Sequence, residues 1–393
     1  MIEERSANST KVFLIIVVCA LISFGLCMLY STSGIDWKPE GPALDNTALK
    51  KQLTFIFVGA CVAVFLHYFD YRTLCRMSRI FMVLIGLLLL YLAIAHALKK
   101  NLPLVRSIKG AYRWIKLGPV SIQPSEFAKI AIILFLADYF QRNNRYNGTF
   151  WKGFLKPSIP VAVIGILIIA GGSLSVTMIT GTLVLALLFV CGVRLRYLFA
   201  IMLSGVGLFY TVAKLSPERM SRITSFLDPE AVAQGEGYQL WNSLLALGSG
   251  GPYGRGFTDS RMKLEYLPEA HNDFILSIVG EELGFVGLCV VICLYLAFLY
   301  ATLKIAAQAT DYRGMIVATG LGLGVCLHGM VNIGVISGAL PTTGVTAPFI
   351  SYGGSSMLSA LISVGILMSV ARESENAELE ENPEEFEAQE QGA

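Results

Sequence analysis

The chain has 393 residues, 54% of them hydrophobic and only 15% charged, with a formal net charge of +2. The mean hydropathy of +0.63 and this shortage of charge, against roughly 25% in a typical soluble domain, exclude a soluble enzyme and an extended disordered protein. So small a net charge, with no basic stripe carrying interleaved aromatics, gives no reason to expect nucleic-acid binding.

A membrane-spanning helix needs about 20 mostly apolar residues. In chain order such runs fall near 12–31, 52–69, 80–98, 126–140, 158–172, 174–192, 197–214, 273–303, 314–336 and 353–371. The expected fold is all-α: a polytopic membrane protein of about ten transmembrane helices, with a long extracytoplasmic loop between spans 7 and 8. The first run has too long an apolar core for a cleaved signal peptide. The run at 126–140 is the weakest, because it is short and opens with Glu126 and Lys129.

An even number of spans puts both ends on one side. The short connections on that side carry Arg72, Arg76, Arg79, Arg142, Arg145, Lys152, Lys156, Arg194, Arg196, Lys304 and Arg313, which makes it cytoplasmic by the positive-inside rule. The outer loops are basic as well, so an anionic ligand at the outer leaflet, or contact with membrane lipid headgroups, is expected there. None of the eight cysteines lies in an outer loop, and no disulfide framework is indicated. His67, His96 and His328 are isolated and read as hydrogen-bonded bundle residues. Residues 1–372 form the membrane domain. Residues 373–393 are acidic and polar, and are expected to be a disordered cytoplasmic tail.

Three outer segments are rich in polar, Gly and Pro residues. In the first, Arg113-Trp114 and Lys116 precede Gln123-Pro124-Ser125-Glu126. Ser125 is a candidate N-cap, and Glu126 and Lys129, one turn apart, can pair. Interfacial anchoring and ligand binding are both open for this segment. The second, Ser216 to Asn272, is long enough to be functional or disordered. It holds Arg222, Lys263, Glu269, His271 and a glycine run from Gly248 to Gly256. That run has no Gly-Lys-Ser/Thr and is not a Walker A loop; its glycines would allow tight turns or close approach to a ligand. Asp273 sits where this loop meets the eighth span, with Glu281 and Glu282 two turns further down it. Ionisable groups at such depth are functional candidates, whereas Asn272 or Asp273 could simply cap the helix. The third, Pro341 to Ser356, includes Ser351 and Ser355 and could admit a lipid or pack helices closely.

Together the blocks GAYRWIKLGPVSIQPSEFAKI at 110–130, SRITSFLDP at 221–229, GYQLWNSLLALGSGGPYGRGF at 237–257, LPEAHNDFILSIVGEELGFVG at 267–287 and NIGVISGALPTTGVTAPFISYGGSS at 332–356 resemble the SEDS family (shape, elongation, division and sporulation), most closely its FtsW/SpoVE division branch. The resemblance implies a peptidoglycan glycosyltransferase that polymerises lipid II, a disaccharide-pentapeptide carried on undecaprenyl pyrophosphate, at the outer face of the membrane. It places the family's essential loop aspartate on Asp273. Asp273 would be the catalytic base, and Arg113, Lys116, Arg222 and Lys263, or a divalent cation such as Mg or Mn, would face the pyrophosphate. Glu126, Lys129, Glu269, His271, Ser351 and Ser355 are the further candidates for substrate binding. The family's usual Pro-Asp-x-Gly acid has no counterpart at Gly171-Gly172-Ser173, and its usual Gln is His328. The implied partners are a class B penicillin-binding protein, which would cross-link the glycan, and other division proteins at the septum. A lipid II flippase and a non-catalytic division scaffold are the competing readings.

Overall fold

The computed structural model describes residues 7–33, 36–38, 41–43, 47–100, 102–105, 112–118, 120–214, 220–221, 225–230, 235, 237–263, 267 and 270–381. The helices are α1 (Ala7–Ser33), α2 (Thr47–Tyr68), α3 (Tyr71–Leu98), α4 (Pro124–Asn143), α5 (Lys156–Ala170), α6 (Leu174–Val190) and α7 (Leu195–Lys214), followed by α8 (Tyr238–Gly250), α9 (Ile275–Glu282), α10 (Gly284–Gln308), α11 (Tyr312–Ile336) and α12 (Gly354–Glu381). Two short antiparallel hairpins interrupt them: β1 (Asp36–Lys38) with β2 (Gly41–Ala43), and β3 (Ile115–Leu117) with β4 (Val120–Ile122).

The ten apolar runs fall on helices. Among the described residues seven helical stretches are long and apolar enough to cross a membrane, one of them α5 together with the wide helical turn before it (Phe150–Ala170), and α6 and part of α7 are shorter apolar helices. The tenth is α4. Its side chains from Ala128 to Phe140 are all buried, so it lies inside the bundle, packed on α3 and α11. A helix shielded by its neighbours can carry Glu126, Lys129 and Asp138, because intramembrane charge is tolerated where it faces protein partners. Seams are tight where small residues meet: a Cβ on Gly365 of α12 would lie 2.7 Å from the Ala63 backbone of α2.

Polar contacts gather at the two ends of the bundle. At the end nearest the termini, Lys11 pairs with Glu375. Asp70 caps α3 through the Arg72 N–H, and Asp311 caps α11 through the Gly314 N–H at 2.7 Å. Asp311 also accepts from the Tyr71 hydroxyl at 2.8 Å, and Asp138 receives Arg142 and Arg313 at 2.9 and 3.3 Å. These ties staple the short basic connections to one another.

Two expectations are corrected here. The acidic tail does not begin at 373: α12 runs on to Glu381, Ser374 is buried, and Glu375 is held by Lys11. Residues 382–393 lie outside the described residues. The run at 273–303 is not one span but two helices, α9 and α10, broken at Leu283-Gly284, where Gly284 takes φ +67°. Glycine takes that left-handed turn without steric cost, and a Cβ on Gly284 would lie 2.3 Å from the Gly254 nitrogen. The break exposes backbone groups, and the glycine run satisfies them. Arg255 and Gly256 N–H donate to the carbonyls of Glu281 and Glu282 at 2.9 and 3.1 Å, and Phe285 and Val286 N–H donate to those of Gly251 and Pro252 at 2.9 and 3.1 Å. A Cβ on Gly254 would sit 2.2 Å from the Glu282 carbonyl oxygen. The close approach expected of these glycines is therefore to the broken helix rather than to a ligand. Since α10 alone has 25 residues, about 37 Å at 1.5 Å per residue, Glu281 and Glu282 lie at its outer end and not deep in a span.

Candidate active site

The three outer segments converge at the end of the bundle opposite the termini. Pro124 opens α4 at its first position, after Gln123 in the N-cap place, where a missing N–H costs nothing. Ser125 is thus inside the first turn and is not the cap; it receives the Gln123 side-chain amide at 3.0 Å. The Gln123 backbone N–H donates to Ser355 Oγ at 2.9 Å, and Ser355 Oγ donates to the Ser121 carbonyl at 3.2 Å. These bonds seat the β3–β4 hairpin on the first turn of α12. Lys116, on β3, is exposed at this end.

One turn into α4, Lys129 Nζ lies 2.8 Å from Glu126 Oε2 and 2.8 Å from His328 Nε2. The other ring nitrogen, Nδ1, lies 2.8 Å from the Gly324 carbonyl. A carbonyl can only accept, so Nδ1 carries the hydrogen and Nε2 accepts from Lys129. All three side chains are buried. They line a cavity of about 30 Å³ with Ser356, Ser359 and Ser363, room for a water or two. The expected pairing of Glu126 with Lys129 is present. His328 belongs to it, so this histidine is not isolated, and the group is an internal polar knot rather than an open binding surface.

Asp273 stands just before α9, half-buried. Phe274 occupies the N-cap place and makes no side-chain cap bond, so neither Asn272 nor Asp273 is the N-cap of α9. Its backbone carbonyl accepts from Asn332 Nδ2 at 2.7 Å, and the same amide donates to the Val345 carbonyl at 2.6 Å. One buried side chain of α11 thereby joins the start of α9 to the third outer segment. A second tie is the Tyr352 N–H to the His271 carbonyl, 3.0 Å, with the two rings 5.8 Å apart. Between these ties the Asp273 carboxylate faces Gly344, where an added Cβ would lie 3.2 Å from Oδ2. Hydropathy marks Asn332 as a polar residue in an apolar run, but nothing local signals what it holds.

The remaining candidates separate. Ser351 is buried and works within the third segment: its Oγ accepts from the Ala347 N–H at 2.8 Å, and its carbonyl accepts from the Gln52 side-chain amide at 3.2 Å. Ser351 and Ser355 are therefore fold-building hydroxyls. Lys263 is not an open cation for a pyrophosphate: its ammonium is buried, 2.9 Å from Glu282 Oε1 and 2.6 Å from the Thr258 carbonyl. Arg113 donates to the Gly172 carbonyl at the α5–α6 junction, which is the place where the acid of the Pro-Asp-x-Gly pattern is missing. Arg222 and Glu269 lie outside the described residues. Among the described residues no group of three or more His, Cys, Asp or Glu could hold a metal ion.

Known proteins resemble this chain in sequence and in fold. The family model of the cell cycle proteins FtsW, RodA and SpoVE matches residues 11–376. Stage V sporulation protein E of Bacillus subtilis (strain 168) is 37% identical over 371 residues, covering 93% of this chain and 98% of that protein. A probable peptidoglycan glycosyltransferase FtsW of Aeromonas salmonicida (strain A449) is 34% identical over 377 residues, covering 94% and 92%. Among solved structures, a chain from a peptidoglycan synthase complex that coordinates polymerization and crosslinking superimposes with a TM-score of 0.75 at 26% identity, covering 92% of this chain and 97% of that one. The rod shape determining protein RodA of Thermus thermophilus gives 0.65 at 25% identity, covering 92% and 96%.

Proposed function

This chain belongs to the cell cycle protein family of FtsW, RodA and SpoVE, and on that premise we propose that Asp273 is the general base of its glycan polymerisation. The protein is a multi-pass membrane peptidoglycan glycosyltransferase. Its substrate is lipid II. The 4-hydroxyl of the incoming lipid II attacks the anomeric carbon at the reducing end of the growing strand. A carbon–oxygen bond forms there as the bond to pyrophosphate breaks. The bonding pair leaves with undecaprenyl pyrophosphate, and the hydroxyl proton passes to Asp273. One displacement turns an α-linked donor into a β-1,4 product without a covalent enzyme intermediate.

The observation that carries this reading is the setting of Asp273. It is a half-buried carboxylate just before α9 where the outer segments meet, held from behind through its own carbonyl and close against Gly344, whose missing side chain leaves room for it. A base has to reach the hydroxyl whose proton it takes, and a half-buried side chain at the outer end of the bundle is placed to do so. For the departing pyrophosphate the proposal assigns Lys116, an exposed point charge on the hairpin. A divalent cation would be held chiefly by the pyrophosphate's own oxygens, as Mg²⁺ commonly is with one or two carboxylates, and no step is assigned to it.

Both termini are proposed to be cytoplasmic. The Lys11–Glu375 pair supports their lying together, and the basic connections at that end support the side. A membrane-anchored transpeptidase, a class B penicillin-binding protein at the division septum, is the proposed partner, supported by the likeness to a chain of a peptidoglycan synthase complex. Purified protein given labelled lipid II tests the function. Glycan strands are the expected product; lipid movement across vesicles without glycan would replace polymerase by flippase.

A further inference from the structure

Two buried carboxylates have no part in the chemistry above. Glu281 is fully buried and Glu282 nearly so, and they are the last two residues of α9, the helix that begins just after Asp273. Each is surrounded by donors from elsewhere in the chain. Glu281 accepts from the Ser260 hydroxyl, from the Arg261 N–H at 3.0 Å and from the Met262 N–H at 3.2 Å. Arg255 lies 3.9 Å away. Glu282 accepts from Ser31 Oγ, which lies 2.6 and 2.8 Å from its two oxygens, and from Lys263 Nζ at 2.9 Å; Lys263 Nζ also donates to Ser31 Oγ at 3.1 Å.

Ser31 is in the last turn of α1, and Lys263 belongs to the loop that returns toward Asp273. Glu282 therefore joins three segments that are far apart in sequence. All eight residues of α9 are buried, and at 1.5 Å per residue the helix is only about 12 Å long. A rod so short and so packed moves as one piece. Its front end is fixed by Asn332 through the Asp273 carbonyl, and its rear end by the two glutamates.

We propose that Glu282, with Lys263 and Ser31, is a latch that positions Asp273 for proton transfer, with Glu281 folding the Ser260–Lys263 segment onto the helix break to complete it. Glu282 is a positioning residue and does not touch substrate. The proposal rests on Asp273 being the base. Neutralising Glu282 leaves the Lys263 ammonium buried without its counter-charge, which favours opening of the latch. The rear of α9 then shifts, and Asp273 shifts with it. Misplacement of a reacting group by about 1 Å can cost about a hundredfold in rate.

The test is steady-state lipid II polymerisation by the full-length protein, normalised to folded, monodisperse material, for Glu282→Gln, Lys263→Met and the pair combined. Each single variant is expected to lower kcat by roughly tenfold or more, with KM within about twofold because no substrate contact is lost. The combined variant should be no worse than the worse single one, as for two parts of one device. Unchanged kcat per folded molecule would reduce the pair to a structural ion pair and overturn the proposal. So would a raised KM at intact kcat, which would make Lys263 a substrate contact. Ser31→Ala keeps both charges and removes only the hydroxyl. It gives a milder variant should the others fold poorly, and its kcat should fall by about twofold to threefold, with an unchanged value again contrary. Asp273→Asn in the same assay separates the two readings: if it retains activity the base assignment fails, whatever the latch variants show.

Discussion

Asp273 and the pair Glu281–Glu282 bracket one short helix, and they live in opposite surroundings. The glutamates are wholly enclosed and met by hydroxyl, backbone and ammonium donors from two other segments. Asp273 is only half-buried, is not the N-cap of α9, and lies close against Gly344. A buried carboxylate is tolerable only when its lone pairs are satisfied. The carboxylate held through its backbone, with its side chain toward the outer segments, is the one fitted for chemistry. Adjacent acids of one sequence block thus divide into architecture and reaction.

Breaking either side of that comparison should give a different kind of failure. The largest effect is expected from Asp273→Ala. Loss of a general base costs about 10²–10⁴-fold in turnover, and thermal stability should stay within about 0.5 kcal/mol, as for substitutions outside a packed core. Gel analysis of labelled glycan and a melting curve on the same sample check both halves. Glu281→Leu should fail in the reverse sense, destabilising the fold by about 3–5 kcal/mol as when one partner of a buried charged network is removed. The yield of monodisperse protein should collapse, and an unaffected melting temperature would refute the enclosed role.

Asn332→Leu sharpens the contrast from behind. It keeps the bulk and removes the two N–H groups that hold the Asp273 and Val345 carbonyls. Turnover per folded molecule should drop by roughly tenfold or more, and a stability cost of about 1–3 kcal/mol should accompany it from the carbonyls left unmet. Gly344→Ala probes the front. Its methyl would stand 3.2 Å from Asp273 Oδ2, tight for a carbon–oxygen contact, so kcat should fall by about threefold to tenfold with melting unchanged. Smallest of all, Arg113→Ala should lower stability by about 0.5–1.5 kcal/mol through its lost bond to the Gly172 carbonyl, leaving turnover per folded molecule intact. A loss of turnover there would return Arg113 to the pyrophosphate.

What could be read from sequence follows from how local each signal is. The ten apolar runs mapped onto helices because hydropathy is written in consecutive residues, and Glu126 met Lys129 because three residues along a helix is one turn. The break at Gly284 escaped because Leu283, Phe285 and Val286 continue the apolar run, and a left-handed glycine leaves no trace in hydropathy. Lys263 reads as an open cation in sequence because its partners lie outside local range: Glu282 is 19 positions on, beyond the helix break, and Ser31 is 232 positions back. The start of the tail was misplaced for the same reason, since Lys11 and Glu375 are separated by 364 positions. His328 is solitary in sequence and meets Lys129 only where α11 packs against α4. The site was legible as a set of segments, whereas the choice among their polar residues required the fold.

The most direct measurement on the central claim is polymerisation of labelled lipid II by purified Asp273→Asn protein. The amide has the shape of the carboxylate and leaves the Asn332 bond to the backbone untouched, but it cannot take the proton. No glycan above background, from protein that folds and melts like the parent, is the predicted result. Glycan formed at near-parental rate would contradict Asp273 as the base.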